Sequence, residues 1–264
     1  MAVFIDQMQR QVELSTPPQR IVSLVPSQTE LLFDLGLEEQ IVGVTKFCVH
    51  PKNYWKTKPF VGGTKKFNFE AIADLKPDLI IGNKEENYKE GIEQLEQDYP
   101  VWMSDIFDLS DALQMMSELG KITHTEEKVQ PIITQITNGF QELNQLSSQT
   151  QSLKVAYFIW RNPMMGVGKD TFIHEMIKQC GWQNVLANES RYPEVTDNQL
   201  QDLNPDLILL SSEPFPFKDK HIAEFQEICP QAKVLLVDGE MFSWYGSRLQ
   251  WAPGYFRELM EGVG

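Results

Sequence analysis

Five basic side chains, Lys65, Lys66, Lys84, Arg161 and Arg248, stand where apolar runs that read as strands give way to loops, in a 264-residue chain of net charge −14. Six aromatic residues, Trp160, Tyr192, Phe215, Phe217, Trp244 and Tyr245, occupy similar strand-exit stretches. Aromatic faces with a few fixed cations suit a planar or chelated organic anion. Taken singly, each aromatic is equally well explained as a core cap and each cation as a solvated loop residue. Taken together they predict a ligand site.

Patterns that would carry catalysis fail on inspection. The run Gly166 to Thr171, GVGKDT, resembles a phosphate loop, yet Pro163 holds the earlier glycine position and Asp170 follows the lysine. His174 to Lys178, HEMIK, opens like a zinc-protease helix but ends on Lys178 where the second histidine must stand. No nucleophile elbow is present, and the histidines are His50, His124, His174 and His221. Cys48 and His50 could share a metal, but two residues without further ligand spacing read as structural. The carboxylates are numerous and form no evident catalytic pair. The expectation is binding without chemistry, with no catalytic residue, no metal site and no resident cofactor.

Composition narrows the class further. An excess of acid over base disfavours nucleic acid and anionic membrane surfaces, which need concentrated Lys and Arg. Hydrophobic residues make up 42% of the chain, enough for a substantial core. No run approaches transmembrane length, and the first residues, MAVFIDQMQRQVEL, lack both the basic start and the apolar centre of a signal peptide. Cys48, Cys180 and Cys229 are widely spaced and odd in number, so they predict neither a disulfide framework nor a zinc cluster.

The elements that must position these residues alternate strand and helix. A loose N-terminal alternation reads as a hairpin or edge strand. Strands are predicted at Ile21 to Val25, Ile41 to Thr45, Leu79 to Gly82 and Val101 to Met103. A helix should open with a capping box at Ser27 to Glu30 and end near Gly36, another should span Phe69 to Leu75 behind the cap Asn68, and a third should run from Leu109 to Leu119 and stop at Gly120. Thr125 to about Ser147 carries Val129, Ile132, Ile133, Ile136, Phe140, Leu143 and Leu146 at steps of three and four, one stripe on a long helix with Pro131 past its first turn. Beyond it, strands are predicted at Lys154 to Ile159, Leu207 to Ser211 and Lys233 to Val237, with a helix from Asp170 to Gln179 stopped by Gly181.

The two sides of the long helix share a local pattern. FEAIADLKPDLII (69–81) and DNQLQDLNPDLIL (197–209) coincide at Asp74/Asp202, Leu75/Leu203, Pro77/Pro205, Asp78/Asp206, Leu79/Leu207 and Ile80/Ile208. Each reads as a capped helix, a Pro-Asp turn and a buried strand. The predicted fold is therefore α/β, with two similar lobes of mostly parallel sheet flanked by helices, a lobe at 1–122, a rigid connecting spine helix at 123–150, a second lobe at 151–264 and a ligand cleft between the lobes.

RIVSLVPSQTELL (20–32) with Leu35 and Gly36, then Gly62, Gly63, Glu70, LKPDLI (75–80) and LNPDL (203–207), resemble the substrate-binding proteins of ABC transporters for cobalamin and iron–siderophore complexes, the type with a rigid helix joining its lobes. The resemblance runs from about Phe4 to Tyr255. It implies a ligand held between two lobes, limited hinge motion, and one exposed acid per lobe that meets arginines of a membrane permease. Glu70 occupies the first such position; at the second stands Asn198, with Asp197 beside it as the candidate acid. Cobalamin-binding members present tryptophans to the corrin, where the matching stretches here offer Lys65, Lys66, Lys84 and Tyr192.

The resulting expectation is a monomeric solute-binding protein of an ABC importer. It would capture a ferric siderophore or a cobalamin- or haem-like chelate through Lys65, Lys66, Lys84, Trp160, Arg161, Tyr192, Phe215, Trp244, Tyr245 and Arg248, and dock a permease through Glu70 and Asp197. The resemblance implies a periplasmic or cell-surface location, with a cytoplasmic one as the alternative suggested by the first residues. The competing functions are a cytosolic cofactor receptor and an α/β enzyme with an unrecognised site.

Overall fold

The computed structural model describes residues 2–15, 17–52 and 57–263, and it begins with the expected hairpin: β1 (Ala2–Ile5) pairs antiparallel with β2 (Gln11–Leu14). Asp6 ties its turn, accepting from the backbone N–H groups of Met8 and Arg10 at 2.9 and 2.8 Å. The chain then divides into two units. The first comprises residues 1–106, 110–134 and 245–248; the second comprises 107–109, 135–244 and 249–264.

In the first unit, β3 (Ile21–Ser23), α1 (Pro26–Asp34), β4 (Ile41–Val44), β5 (Gly62–Gly63), β6 (Lys66–Phe67), α2 (Phe69–Leu75), β7 (Leu79–Asn83), α3 (Lys89–Leu95) and β8 (Val101–Ser104) follow in order. The parallel sheet runs β4-β3-β7-β8. Every residue of β3, β7 and β8 is buried, which is why these strands read as unbroken apolar runs: helices cover both faces. Val22, Leu24, Ile72, Ile80, Ile92 and Val101 form one side of that core.

Three expectations for this unit need correction. α1 has no side-chain cap: Val25 is the N-cap and Pro26 the first helical residue, so the Ser27 to Glu30 spacing lies inside the helix and Glu30 points elsewhere. α3 was not expected. α4 (Leu109–Thr123) runs through Gly120, and a Cβ there would stand 2.6 Å from Val129 Cγ1, so the glycine serves the close approach of α4 to the following helix. The chain reverses instead at His124, whose φ is 55°.

α5 (Glu126–Ser147) is the predicted long helix, about 33 Å at the α-helical rise, and is continuous through Pro131. Most of its stripe is interior: Val129, Ile136, Phe140 and Leu143 are all 2% exposed or less, while Ile133 and Leu146 are half-buried. Its residues through Thr134 belong to the first unit and those from Gln135 to the second.

In the second unit, β9 (Lys154–Trp160), β10 (Met165–Gly166), α6 (Phe172–Gln179), β11 (Gln183–Asn184), α7 (Asp197–Leu203), β12 (Leu207–Ser211), α8 (Asp219–Ile228), β13 (Lys233–Val237), α9 (Gly239–Ser243) and α10 (Ala252–Val263) build a sheet in which β11, β9, β12 and β13 are parallel neighbours and β10 is antiparallel to β9. The parallel order, second-first-third-fourth, is that of the first unit. α6 starts two residues later than expected, because Asp170 has φ 61° and the Thr171 hydroxyl is the cap, accepting from His174 N–H at 3.2 Å.

The repeated sequence forms the same device in each unit. Asn68 and Thr196 cap α2 and α7, accepting from the backbone N–H of Ala71 and Gln199. Both helices end on a left-handed residue, Lys76 at φ 45° and Asn204 at φ 47°. The Asp78 carboxylate then accepts from the backbone N–H groups of Gln19 and Arg20, and the Asp206 carboxylate from that of Lys154, each pinning the start of the unit's first parallel strand.

Candidate functional site

In open parallel sheets, ligands bind outside the carboxyl ends of the strands, so the loops leaving β3, β4, β7 and β8, and those leaving β9, β12 and β13, are where a site should form. In the first unit these loops are held by a buried polar network. Asn83 at the end of β7 donates to Ser104 Oγ at 3.0 Å and accepts from the N–H groups of Glu85 and Glu86 at 2.8 and 3.0 Å. Gln28 donates to the same Ser104 hydroxyl, and Asn87 donates to the Thr64 carbonyl at 3.1 Å. Cys48 is enclosed by the Thr29 and Thr45 hydroxyls at 3.2 and 3.3 Å, and burial pushes its thiol up; it is part of this scaffold. Among the described residues no three His, Cys, Asp or Glu side chains gather as a metal would require.

The structure brings Lys65 and Lys66 together. They sit on the β5–β6 turn and line a depression of about 900 Å³ with Lys46, Phe47, Phe69 and Glu70. Gly62 makes the turn possible: its φ is 105°, and a Cβ would collide with the Lys66 carbonyl oxygen. Lys65 Nζ donates to the Glu85 carbonyl at 2.6 Å, while Lys46 Nζ lies 5.0 Å from the Phe47 ring, itself 49% exposed. Glu70, expected at a docking surface, therefore shares one depression with two lysines expected to bind ligand.

Other cations have carboxylate partners. Lys84 Nζ is 2.5 Å from Asp105 Oδ2. Arg161, in the second unit, donates through Nε to Glu224 at 3.0 Å and holds its guanidinium 5.6 Å from the Phe225 ring. Arg248 is the clearest departure from expectation. It is 8% exposed and bidentate to Glu30, so it is an interior counter-ion of α1 and presents no free fork to a ligand. Burial raises Glu30 above the usual carboxylate range and Arg248 opposes that shift. Tyr245, also buried, donates its hydroxyl to Glu86 at 2.7 Å.

In the second unit, Trp160 ends β9 with 39% of its surface exposed, and its indole N–H donates to the Asn162 carbonyl at 3.0 Å. Phe215, half-buried on the loop after β12, meets it edge-on at 5.6 Å and continues to Phe217 at 4.9 Å. Trp244 is 6% exposed, and its indole N–H and the Ser243 hydroxyl both donate to Glu213 Oε1, at 2.9 and 2.8 Å. Burial raises Glu213 despite those two bonds. Tyr192 lies half-buried on the segment that pairs with the 164–169 stretch. Asp197 is exposed in the first turn of α7, as Glu70 is in α2. The phosphate-loop lookalike is absorbed by structure: a Cβ on Gly168 would strike the Glu189 carbonyl, and Thr171 is spent as a cap.

Sequence reasoning missed Glu30, Glu86, Glu213 and Phe47. Phe47 was findable, since it lies in the loop that follows a predicted strand. The three acids carry no local signal, because their partners are remote in sequence.

The chain is similar to known proteins in sequence and in fold. Residues 21–228 match the model of the family described as "Periplasmic binding protein". The chain is 26% identical over 212 residues to the uncharacterized ABC transporter substrate-binding lipoprotein YvrC of Bacillus subtilis, covering 77% of this chain and 67% of that one. It is 27% identical over 242 residues to the vitamin B12-binding protein of Pectobacterium atrosepticum, covering 88% and 85%. Among solved structures, the vitamin B12 binding protein BtuF of Vibrio cholerae superposes with a TM-score of 0.81 at 22% identity over 94% of this chain and 98% of that one. The haem-binding protein RhuT of Roseiflexus sp. RS-1 does so with 0.80 at 20% identity over 93% and 97%. With more than three quarters of its length matched by the family model, this chain belongs to the periplasmic binding protein family.

Proposed function

We propose that this protein is the solute-binding component of an ABC importer, that it acts outside the cytoplasm, and that it captures a macrocyclic metal chelate, a corrinoid or haem, without turning it over. The single observation that carries the ligand class is the Trp160–Phe215 pair: an exposed indole braced edge-on by a second ring at the carboxyl end of β9. Such a surface suits the flat, apolar face of a macrocycle. The cations add little capacity for a strongly anionic ligand, since Lys84 and Arg248 of the first unit and Arg161 of the second are engaged by Asp105, Glu30 and Glu224. Relatives named for vitamin B12 and haem binding add support. A ferric siderophore, rich in anionic oxygen and lacking a broad apolar plane, is the less suited of the expected chelates.

Glu70 and Asp197 are proposed as permease-docking acids, since each is exposed on the first turn of the matching helix in its unit. The test of the ligand class is an absorbance and fluorescence titration with cyanocobalamin, haemin, a ferric catecholate and a ferric hydroxamate. Saturable one-to-one binding of a macrocycle, with intrinsic tryptophan quenching, is expected. Tight siderophore binding with neither macrocycle bound refutes the assignment.

A further inference from the structure

A second cavity of about 530 Å³ opens at the amino end of β9 in the second unit, lined by Lys154, His174, Lys178, Trp182, Asn184 and Leu203 among others. Lys154 and Trp160 are the first and last residues of β9, so the cavity stands about 20 Å along the strand from the aromatic pair. It is no part of the site proposed above.

Its hydrogen bonds fix the chemistry it offers. Asn184 accepts the Leu186 N–H on Oδ1 at 3.0 Å, which orients the amide. The amide nitrogen then donates to the Val167 carbonyl at 2.9 Å and meets His174 Nδ1 at 3.0 Å. His174 must accept there, so its proton sits on Nε2 and the ring is neutral. Burial, and then Lys178, lower its pKa and hold it in that state. The ring's remaining polar edge is thus a donor. Lys154 Nζ has no carboxylate partner among the described residues, although Asp206 lies close enough to accept from the Lys154 backbone N–H. Lys178 is paired with Glu175 at 2.7 Å and keeps 55% of its side chain exposed. Trp182, 4% exposed, and Leu203 supply an apolar wall.

We infer that this cavity is a second binding site, for a small organic anion with a flat apolar body, its acid group taken by Lys154 and His174 Nε2–H and its body laid against Trp182 and Leu203. The volume suits such a molecule, and charge-assisted donors above an apolar floor are the usual composition of small-ligand pockets.

The test uses indole-3-acetate as the anionic probe and tryptamine as its cationic counterpart, followed by amide correlation spectra of the full chain. Indole-3-acetate should shift the resonances of residues 174, 182 and 184 saturably, and tryptamine should leave them in place. Lys154→Ala should weaken binding at least about tenfold, the effect of losing one hydrogen bond to a charged group, while Lys154→Arg retains most of it; resonances of the first unit report that both variants are folded. Absence of saturable shifts, shifts scattered over the surface, equal binding of tryptamine, or an unchanged affinity in Lys154→Ala overturns the inference.

Discussion

Arg248 and Glu30 form a bidentate ion pair, Nε to Oε2 at 2.9 Å and Nη2 to Oε1 at 2.6 Å, with the two side chains only 9% and 6% exposed. A buried pair of this kind costs much desolvation and returns it only while both partners are present. Arg248→Ala should therefore lower stability by about 3–5 kcal/mol, the usual result of stranding one buried charge. Replacing both residues, as in Glu30→Leu with Arg248→Met, should cost much less. Denaturant unfolding of the two variants checks this, and equal losses in the single and the double variant would contradict it.

The second unit has its own displaced acid, half-buried Glu213. Glu213 is raised by burial, so the folded state holds its proton at a pH where the unfolded chain has released it. The sign follows: its contribution is fully present below the ordinary carboxylate value of 4.5 and is lost as pH rises through the folded value. Glu213→Gln keeps an oxygen for Ser243 and Trp244 and removes the titration. Its melting temperature should gain on the wild type as pH rises from 4.5 toward neutrality, and parallel curves would refute the assignment.

His174 works in the opposite direction. Its folded pKa is lowered by burial, so the stability it allows is present above the ordinary histidine value of 6.5 and declines as pH falls through the folded value, where protonation sets Nδ1–H against the Asn184 amide. His174→Gln should remove that decline in acid unfolding experiments below pH 6.5.

Lys76 and Asn204 both occupy the left-handed region at helix ends, where residues with a Cβ are strained. Lys76→Gly should raise stability by about 0.5–1 kcal/mol, and Asn204→Gly by less, because asparagine tolerates that conformation better. Thermal unfolding measures both, and a loss of stability in Lys76→Gly would count against the strain argument.

For the ligand, Trp160→Ala should weaken macrocycle binding by about 1–3 kcal/mol through lost apolar contact, with Phe215→Ala milder because Phe215 acts largely by bracing Trp160. Glu70→Lys and Asp197→Lys should leave that affinity unchanged and slow association with the permease in a salt-dependent way. Calorimetry on the isolated chain and surface plasmon resonance against the reconstituted transporter separate the two effects.

Most of the fold was legible because its signals are local. Asn68, Thr196, the two Pro-Asp turns and the apolar runs of β7 and β12 each act within a few residues, and the structure uses them as written. α3 escaped notice because KEGIEQL carries a glycine and few apolar positions; Ile92 and Leu95 suffice once tertiary burial supports them. The start of α1 was misread because proline at the first helical position outweighed a plausible capping box. Side-chain chemistry was harder to read. Basic residues after strands were identifiable, but whether each is free depends on Glu30, Asp105 and Glu224, which lie 218, 21 and 63 residues away from their partners. Distances of that kind are set by topology, which no local pattern encodes.

Tyr245 to Arg248 belong to the first unit although the sequence on both sides belongs to the second. The two units are therefore not exchangeable cassettes. A gene cut near residue 150 would give an N-terminal product whose Glu30 has lost its counter-ion and whose Glu86 has lost the Tyr245 hydroxyl, and a C-terminal product carrying both donors with nothing to receive them. Recombination between relatives at the long helix would meet the same obstacle, so inheritance of this protein by halves requires that Glu30 and Arg248 travel together.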